Sequence, residues 1–377
     1  MRRISLFLFG LLATTSLAQA QAVLSLDGDS VVSSPAQQEQ AKAPDVKTNT
    51  ENKEKDKGIF SFLNFWDKKK KPDVQIEAGS TETVLEKLTR MAGEGDVNAQ
   101  LTLGYMYLYG EDGVEVNHKK AFEYYKMAAE QNDDVAVNNL GSLYYSGIGT
   151  KRNSLAAAQM FAKAANLGNV EATVNLAFIY LSGYGVSQNP EEAMKLFEVA
   201  SKENNPTANF MMGYAHFKGY VVNKDLRLAF DLIRKSANAG YDDALYILSL
   251  MYMNGWGTPQ NYGNAVRALN KAVDQGNVAA MMELGNILAV GQKYPRDIYK
   301  AHILFNIASV RGAEDADNRR NILEQNLEIE KLLQAQAEAE AYVEKPSELT
   351  VYIHRTFGDN IKKYINDGIE ARNKHKK

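Results

Sequence analysis

The chain of 377 residues contains no cysteine. That excludes disulfides, a lipid attached to an N-terminal cysteine and any thiolate-ligated metal. Proline is scarce at 8 and tryptophan at 2, against 20 tyrosines, a balance that suits aromatic positions recurring inside regular structure. A large excess of charge of either sign is also missing. With a formal net charge of -3, no global field draws the chain to nucleic acid, and nucleic-acid partners are not expected. Beyond the first residues, no apolar run approaches the length that crosses a bilayer.

Catalytic signatures are equally thin. No G-x-G-x-x-G or G-x-x-x-x-G-K-S/T loop is present to cradle a phosphate, and no G-x-S-x-G elbow surrounds Ser249. The histidines His118, His216, His302, His354 and His375 form no H-E-x-x-H or other close ligand series. Glu191 and Glu192 fall in the first turn of an expected helix, where negative charge is favoured near the N-terminal dipole. No catalytic, cofactor-binding or metal-ligating residues are therefore expected, and a nonenzymatic role follows.

What is present begins with MRRISLFLFGLLATTSLAQAQA: Arg2 and Arg3, an apolar stretch from Ile4 to Leu12, then small-residue sites of the A-x-A kind. Residues 1–22 read as a secretory signal peptide, with an uncleaved anchor as the alternative. Export of a cysteine-free chain fits a bacterial periplasmic or secreted protein. Residues 23–79 form an expected disordered linker, too polar to offset its ordering entropy by burial. Inside it, GIFSFLNFWDKKKK (58–71) sets Phe60, Phe62, Leu63, Phe65 and Trp66 beside Lys68, Lys69, Lys70 and Lys71. This segment is expected either to pack on the folded domain or a partner, or to contact an anionic membrane surface.

From residue 99 a repeat dominates. Ala99, Ala136, Ala172, Ala208, Ala244 and Ala280 are 37 residues apart once and 36 thereafter. Four residues on come Leu103, Leu140, Leu176, Met212, Leu248 and Leu284, each followed by Gly, Ala or Ser, as two closely crossing helices need. Gly110, Gly147, Gly183, Gly219, Gly255 and Gly291 fall where the first helix should end. Asn117, Asn153, Asn189, Asp225, Asn261 and Asp297 then cap the second helix, which should close on Asn132, Gly168, Asn204, Gly240, Gly276 and Gly312. Each unit is a helix, a turn, an antiparallel helix and a turn. The fold expected is an all-α, right-handed α/α solenoid with six repeats over 99–315, a half-repeat or capping helix over 80–98, and a helical cap and tail over 316–377.

One unit reads Ala172, Leu176, Ala177, Tyr180, Gly183, Gly185, Val186, Asn189, Ala193, Phe197 and Ala200, and this constellation resembles the Sel1-like repeat family, a relative of tetratricopeptide repeats. Local departures are Val221 and Lys293, where a second turn glycine is usual, and His216 and Leu288, where tyrosine is. The resemblance implies a scaffold that binds a protein or peptide along its concave first-helix face. Carried onto this chain, that face holds Asn138, Ser142, Tyr145, Ser146, Phe178, Ser182, Phe210, Tyr214, Phe217, Lys218, Tyr246, Leu250, Met253 and Asn254. It is an aromatic-apolar groove suited to a neutral or amphipathic segment, and the chain's own FSFLNFW is one candidate occupant. The family's link to cell-wall chemistry implies an alternative, an accessory regulator of cell-wall metabolism, with a cell-wall hydrolase more distant because no catalytic set is recognisable. Past the repeats, Leu323, Leu327, Ile329, Leu332 and Leu333 are expected to cover the last unit, and a helix after Pro346 to carry an apolar stripe of Phe357, Ile361, Tyr364 and Ile365.

Overall fold

The structure, a computed structural model, describes residues 82–374, with side chains as far as Ile361. The signal segment, the whole linker with residues 58–71, and the side chains of Tyr364 and Ile365 lie outside the described residues.

The described chain is a run of helices. After α1 (Val84–Gly93) come paired helices of 13 residues each: α2 (Val97–Tyr109) with α3 (His118–Glu130), α4 (Asp134–Ser146) with α5 (Ser154–Asn166), and α6 (Val170–Ser182) with α7 (Pro190–Lys202). The series continues with α8 (Pro206–Lys218) and α9 (Leu226–Asn238), α10 (Asp242–Asn254) and α11 (Tyr262–Asp274), and α12 (Val278–Val290) and α13 (Ile298–Val310). Each helix packs on its hairpin partner and on the next hairpin, which makes an α-solenoid.

The repeated residues explain the uniformity. Gly104, Gly141, Gly213 and Gly285 lie under the side chains of Tyr125, Phe161, Ile233 and Phe305; a Cβ at Gly285 would come within 2.6 Å of the Phe305 ring. Only a small residue lets the two helices of a hairpin approach with that bulk between them. The first helices end on glycines in the left-handed region, as at Gly183 with φ 69°, and the second helices begin on Asn or Asp side chains that accept from backbone N–H groups. Gly185 answers a different need. A Cβ there would lie 2.4 Å from Ser154 Cβ, because each turn nestles against the second helix of the unit before it.

Three helices follow the hairpins. The short α14 (Ala316–Glu324) and α15 (Ile329–Glu340) pack on α13 and close the end of the solenoid. Leu323 and Ala335 are buried there, but Ile329 and Leu333 are 77% and 61% exposed, so they do not cover the last unit as the hydrophobic pattern suggested. The small Ala335 lets α15 lie close to α13, and that contact turns Ile329 and Leu333 outward. The last helix, α16 (Glu348–Lys374), leaves this end and runs back along the first helices to pack on α6.

Candidate functional site: a groove that holds a helix

The first-helix face is where the resemblance places a binding surface, and α16 lies on it. A strap of residues ties down the start of α16. The Tyr342 hydroxyl donates to the Val273 carbonyl, Lys345 N–H donates to the Asp274 carbonyl at 2.7 Å, and Arg311 Nη1 donates to Glu344 Oε2 at 2.6 Å. Ser347 then caps the helix by accepting from Thr350 N–H at 3.0 Å, while its hydroxyl donates to the Gly240 carbonyl at 2.7 Å.

The first turn of α16 completes another helix as well. The first helices of the repeats are capped by Asp96, Asp133, Asn169, Asn205 and Asn277, each accepting from the N–H of the repeat alanine three residues on. At the corresponding place before α10 stands Tyr241, which makes no cap bond. Thr350 supplies an acceptor instead: Asp242 N–H donates to Thr350 Oγ1 at 3.1 Å, and that hydroxyl donates to Gln275 Oε1 at 2.6 Å. One orphan donor of α10 is thus satisfied from a residue 108 positions away.

Beside this cap lies the charged part of the groove. His354 Nε2 stands 3.1 Å from Asp242 Oδ1 and 3.3 Å from Asp243 Oδ2. Asn277 Nδ2 donates to both carboxylates at 3.0 Å, and the Tyr241 hydroxyl donates to Asp243 Oδ2 at 2.8 Å. Burial opposes charge on the imidazole, but hydrogen bonds to Asp242 and Asp243, together with their negative charges, push its pKa up to about 10. Burial likewise works to raise Asp243, yet bonds from His354, Tyr241 and Asn277 hold its carboxyl below the usual value. Asp242, Asp243 and His354 offer three ligand atoms within 4.8 Å of one another, the donor types of a small cation site. A protonated imidazole in this place already supplies the positive charge that a cation would bring.

Further along, the contact turns aromatic. The Phe357 ring stacks on Phe178 with centroids 4.1 Å apart and planes at 17°, and Phe178 meets Phe197 edge-on at 5.1 Å. Phe178, Phe210, Tyr214 and Tyr246 share one apolar core with Ile353, Phe357 and Ile361 of α16. Glu171, at the start of α6, accepts from the Tyr352 hydroxyl at 3.2 Å and from Asn205 Nδ2 at 2.7 Å, and burial pushes its pKa up to about 7. Tyr145 is hydrogen-bonded to Asn360.

The residues expected on the face therefore divide. Asn138, Ser142, Phe178, Phe210, Tyr214, Tyr246, Leu250 and Met253 are buried, between units or under α16. Tyr145, Ser146, Ser182, Phe217 and Lys218 are half-buried, and Asn254 is exposed. Lys218 Nζ lies 5.4 Å from the ring centroids of both Tyr214 and Phe217, and Phe217 packs on Trp256 at 5.2 Å. Glu171, Tyr241, Asp242 and Asp243, which shape the seat of α16, escaped the sequence reading. The repeat carried a signal for them: Tyr241 stands where every other unit has Asp or Asn.

The architecture described above is that of known proteins. The Sel1 repeat profile matches residues 97–133, 134–169, 170–205, 206–241, 242–277 and 278–309. A Sel1 repeat protein from Oxalobacter formigenes is similar at 27% identity and TM-score 0.51, over 57% of this chain and 87% of that one. A protective antigen of uropathogenic Escherichia coli strains with an SLR fold is 24% identical at TM-score 0.42, over 74% of this chain and 73% of that one. No curated protein matches the chain. With tandem units matched over more than half its length, the chain belongs to the Sel1 repeat family.

Proposed function

We propose that this noncatalytic helical-repeat scaffold is exported and binds a partner protein along its first-helix groove, in a periplasmic or secreted assembly. The observation that supports the site is the occupied groove itself: the face that a solenoid uses for partners already accepts a helix through stacked rings, hydroxyls and an ion pair. Among the described residues no helix is long and apolar enough to cross a membrane, and the case for export rests on residues 1–22.

Proximity labelling with the full-length exported chain tests this reading, repeated with Tyr145→Ala, Phe217→Ala and Lys218→Ala. These positions are half-buried, so their removal spares the core better than that of the buried Tyr214 or Tyr246 would. Loss of the leading partner with retained helicity supports the groove. Unchanged labelling in all three variants removes it from consideration as the binding surface.

A further inference from the structure

The helix α16 is bound as a ligand is bound. Its buried positions Thr350, Ile353, Phe357 and Ile361 follow one face at spacings of three and four residues. It crosses the ends or faces of several repeat units, touching Tyr145, Glu171, Phe178, Gly240, Asp242, Asp243 and Gln275, and the matched repeats finish at residue 309, before it begins.

The seat is built into the repeats by their departures. Tyr241 gives up the local cap, so that α10 takes one from a visiting hydroxyl. Asp242 and Asp243 follow it and face the cation on α16, and Phe178 offers its ring to an incoming aromatic.

The fit is nevertheless incomplete. A narrow cleft, partly open to solvent and with room for about one water molecule, remains between Tyr145, Asn175, Phe178, Thr356, Phe357 and Asn360. Asn175 Oδ1 and Thr356 Oγ1 border it without a hydrogen-bond partner from the protein, and the Glu171 carboxylate is met by neutral donors, the Tyr352 hydroxyl and the Asn205 amide, where a cation would suit it better. A resident with these defects can be replaced by a helix that lacks them.

We infer that the groove is a helix receptor with α16 as its resting occupant, and that its partner is an amphipathic, basic and aromatic helix that takes the place of α16. The partner presents an aromatic ring to Phe178, a cation to Asp242 and Asp243, and a second cation to Glu171. This rests on the groove reading proposed above and specifies the chemistry of the partner. The strap from Tyr342 to Ser347 holds α16 by its start, so release at Phe357 leaves the helix tethered and ready to return.

The test uses the full chain and a fluorescent peptide of residues 345–361, read by anisotropy. In the chain carrying His354→Ala and Phe357→Ala, whose own helix is weakened, the peptide binds at least tenfold tighter than to the unaltered chain. A peptide with Tyr352→Lys binds tighter still, and Glu171→Gln in the chain abolishes that gain. Equal binding to altered and unaltered chains, or none to an altered chain whose circular dichroism shows intact helices, overturns the inference. Should the double variant not fold, hydrogen exchange on the unaltered chain decides. Amides of 350–361 exchanging well ahead of those in α6 and α8 support a displaceable helix, and equal protection overturns it. Peptide failure with partner capture still sensitive to Tyr145 and Phe217 removes the helix receptor alone. Partner capture insensitive to the groove variants removes the groove reading instead.

Discussion

The N-termini of α10 and α12 occupy the same place in successive repeats and have nearly the same backbone: φ -73° and ψ 123° at Tyr241, φ -66° and ψ 110° at Asn277. Their chemistry differs. Asn277 accepts from Ala280 N–H three residues on, a cap complete within its own turn, whereas Tyr241 makes none and α10 receives a hydroxyl from Thr350. The backbone is held by the solenoid in both cases, so the missing cap marks a place where another part of the chain must arrive. A repeat protein makes such breaks easy to recognise, because the neighbouring units supply the reference.

The largest way to break this contrast is to remove the visiting helix. Phe357→Ala deletes a buried ring stacked on Phe178 and should weaken docking of α16 by about 3 kcal/mol, roughly a hundredfold in its equilibrium. Hydrogen exchange should show amides of 350–361 losing protection while α6 and α12 keep theirs. Matching losses in α12 would mean that α16 and the repeats unfold as one unit.

The two caps can be compared directly. Thr350→Val leaves Asp242 N–H and Gln275 without their hydroxyl, at about 1–2 kcal/mol, and the damage should be confined to α10 and α16. Asn277→Ala should cost a similar amount, about 1–2 kcal/mol, but should loosen α12 as well, since this side chain both caps α12 and donates to Asp242 and Asp243. Denaturant melts combined with exchange would separate the patterns, and identical patterns would erase the distinction drawn between a local and a borrowed cap.

Acidity should tune the borrowed side alone. The docked His354 pKa of about 10 lies above its ordinary 6.5, so its contribution is complete below 6.5 and is lost as pH rises toward 10. The docked Glu171 pKa of about 7 lies above its ordinary 4.5, so the cost of its buried charge appears between 4.5 and 7 and is complete above. Asp243, held below 3.8, opposes docking only once pH falls far enough to protonate it. Docking should therefore be strongest near pH 4–5 and weaken in two stages above it. With 44% of the His354 side chain exposed, solvent screening limits its share to about 1 kcal/mol. Exchange rates of 350–361 across pH should show both stages; Glu171→Gln should flatten the lower one, and a profile unaltered by that substitution would contradict the assignment.

The smallest effect belongs to a turn. Val221 sits at φ 66° where most units have glycine, and relief of that strain by Val221→Gly, about 1–2 kcal/mol, is offset by about 0.4–1 kcal/mol of added unfolded-state freedom. A net gain of about 0.5 kcal/mol in a denaturant melt is expected. Gly257→Ala, by contrast, would drive a Cβ to 1.9 Å from the Leu226 carbonyl oxygen and should destabilise by 2 kcal/mol or more, roughly.

Much of the fold was legible because its causes are close together in the chain. The caps at Asn153 and Asn189, the turn glycines Gly183 and Gly255, and the small residues Gly141 and Gly213 under facing side chains all act within one hairpin. The groove was legible only as a face. The family resemblance placed Phe178, Phe210, Tyr214 and Tyr246 on it, but could not tell whether these side chains meet solvent, the next unit or a distant helix. The stripe of Phe357 and Ile361 announced a buried side of α16 without naming what buries it.

Residue order alone was enough for the hairpin, its caps and its recurrence, since those depend on backbone donors, turn conformations and packing within about 36 residues. Where α16 docks was settled by contacts over far greater separations: Thr350 reaches Asp242 across 108 positions and Tyr352 reaches Glu171 across 181. An amphipathic helix can bury its apolar side against any complementary surface. The one it finds here depends on the shape the assembled repeats create and on the strap that delivers α16 to it.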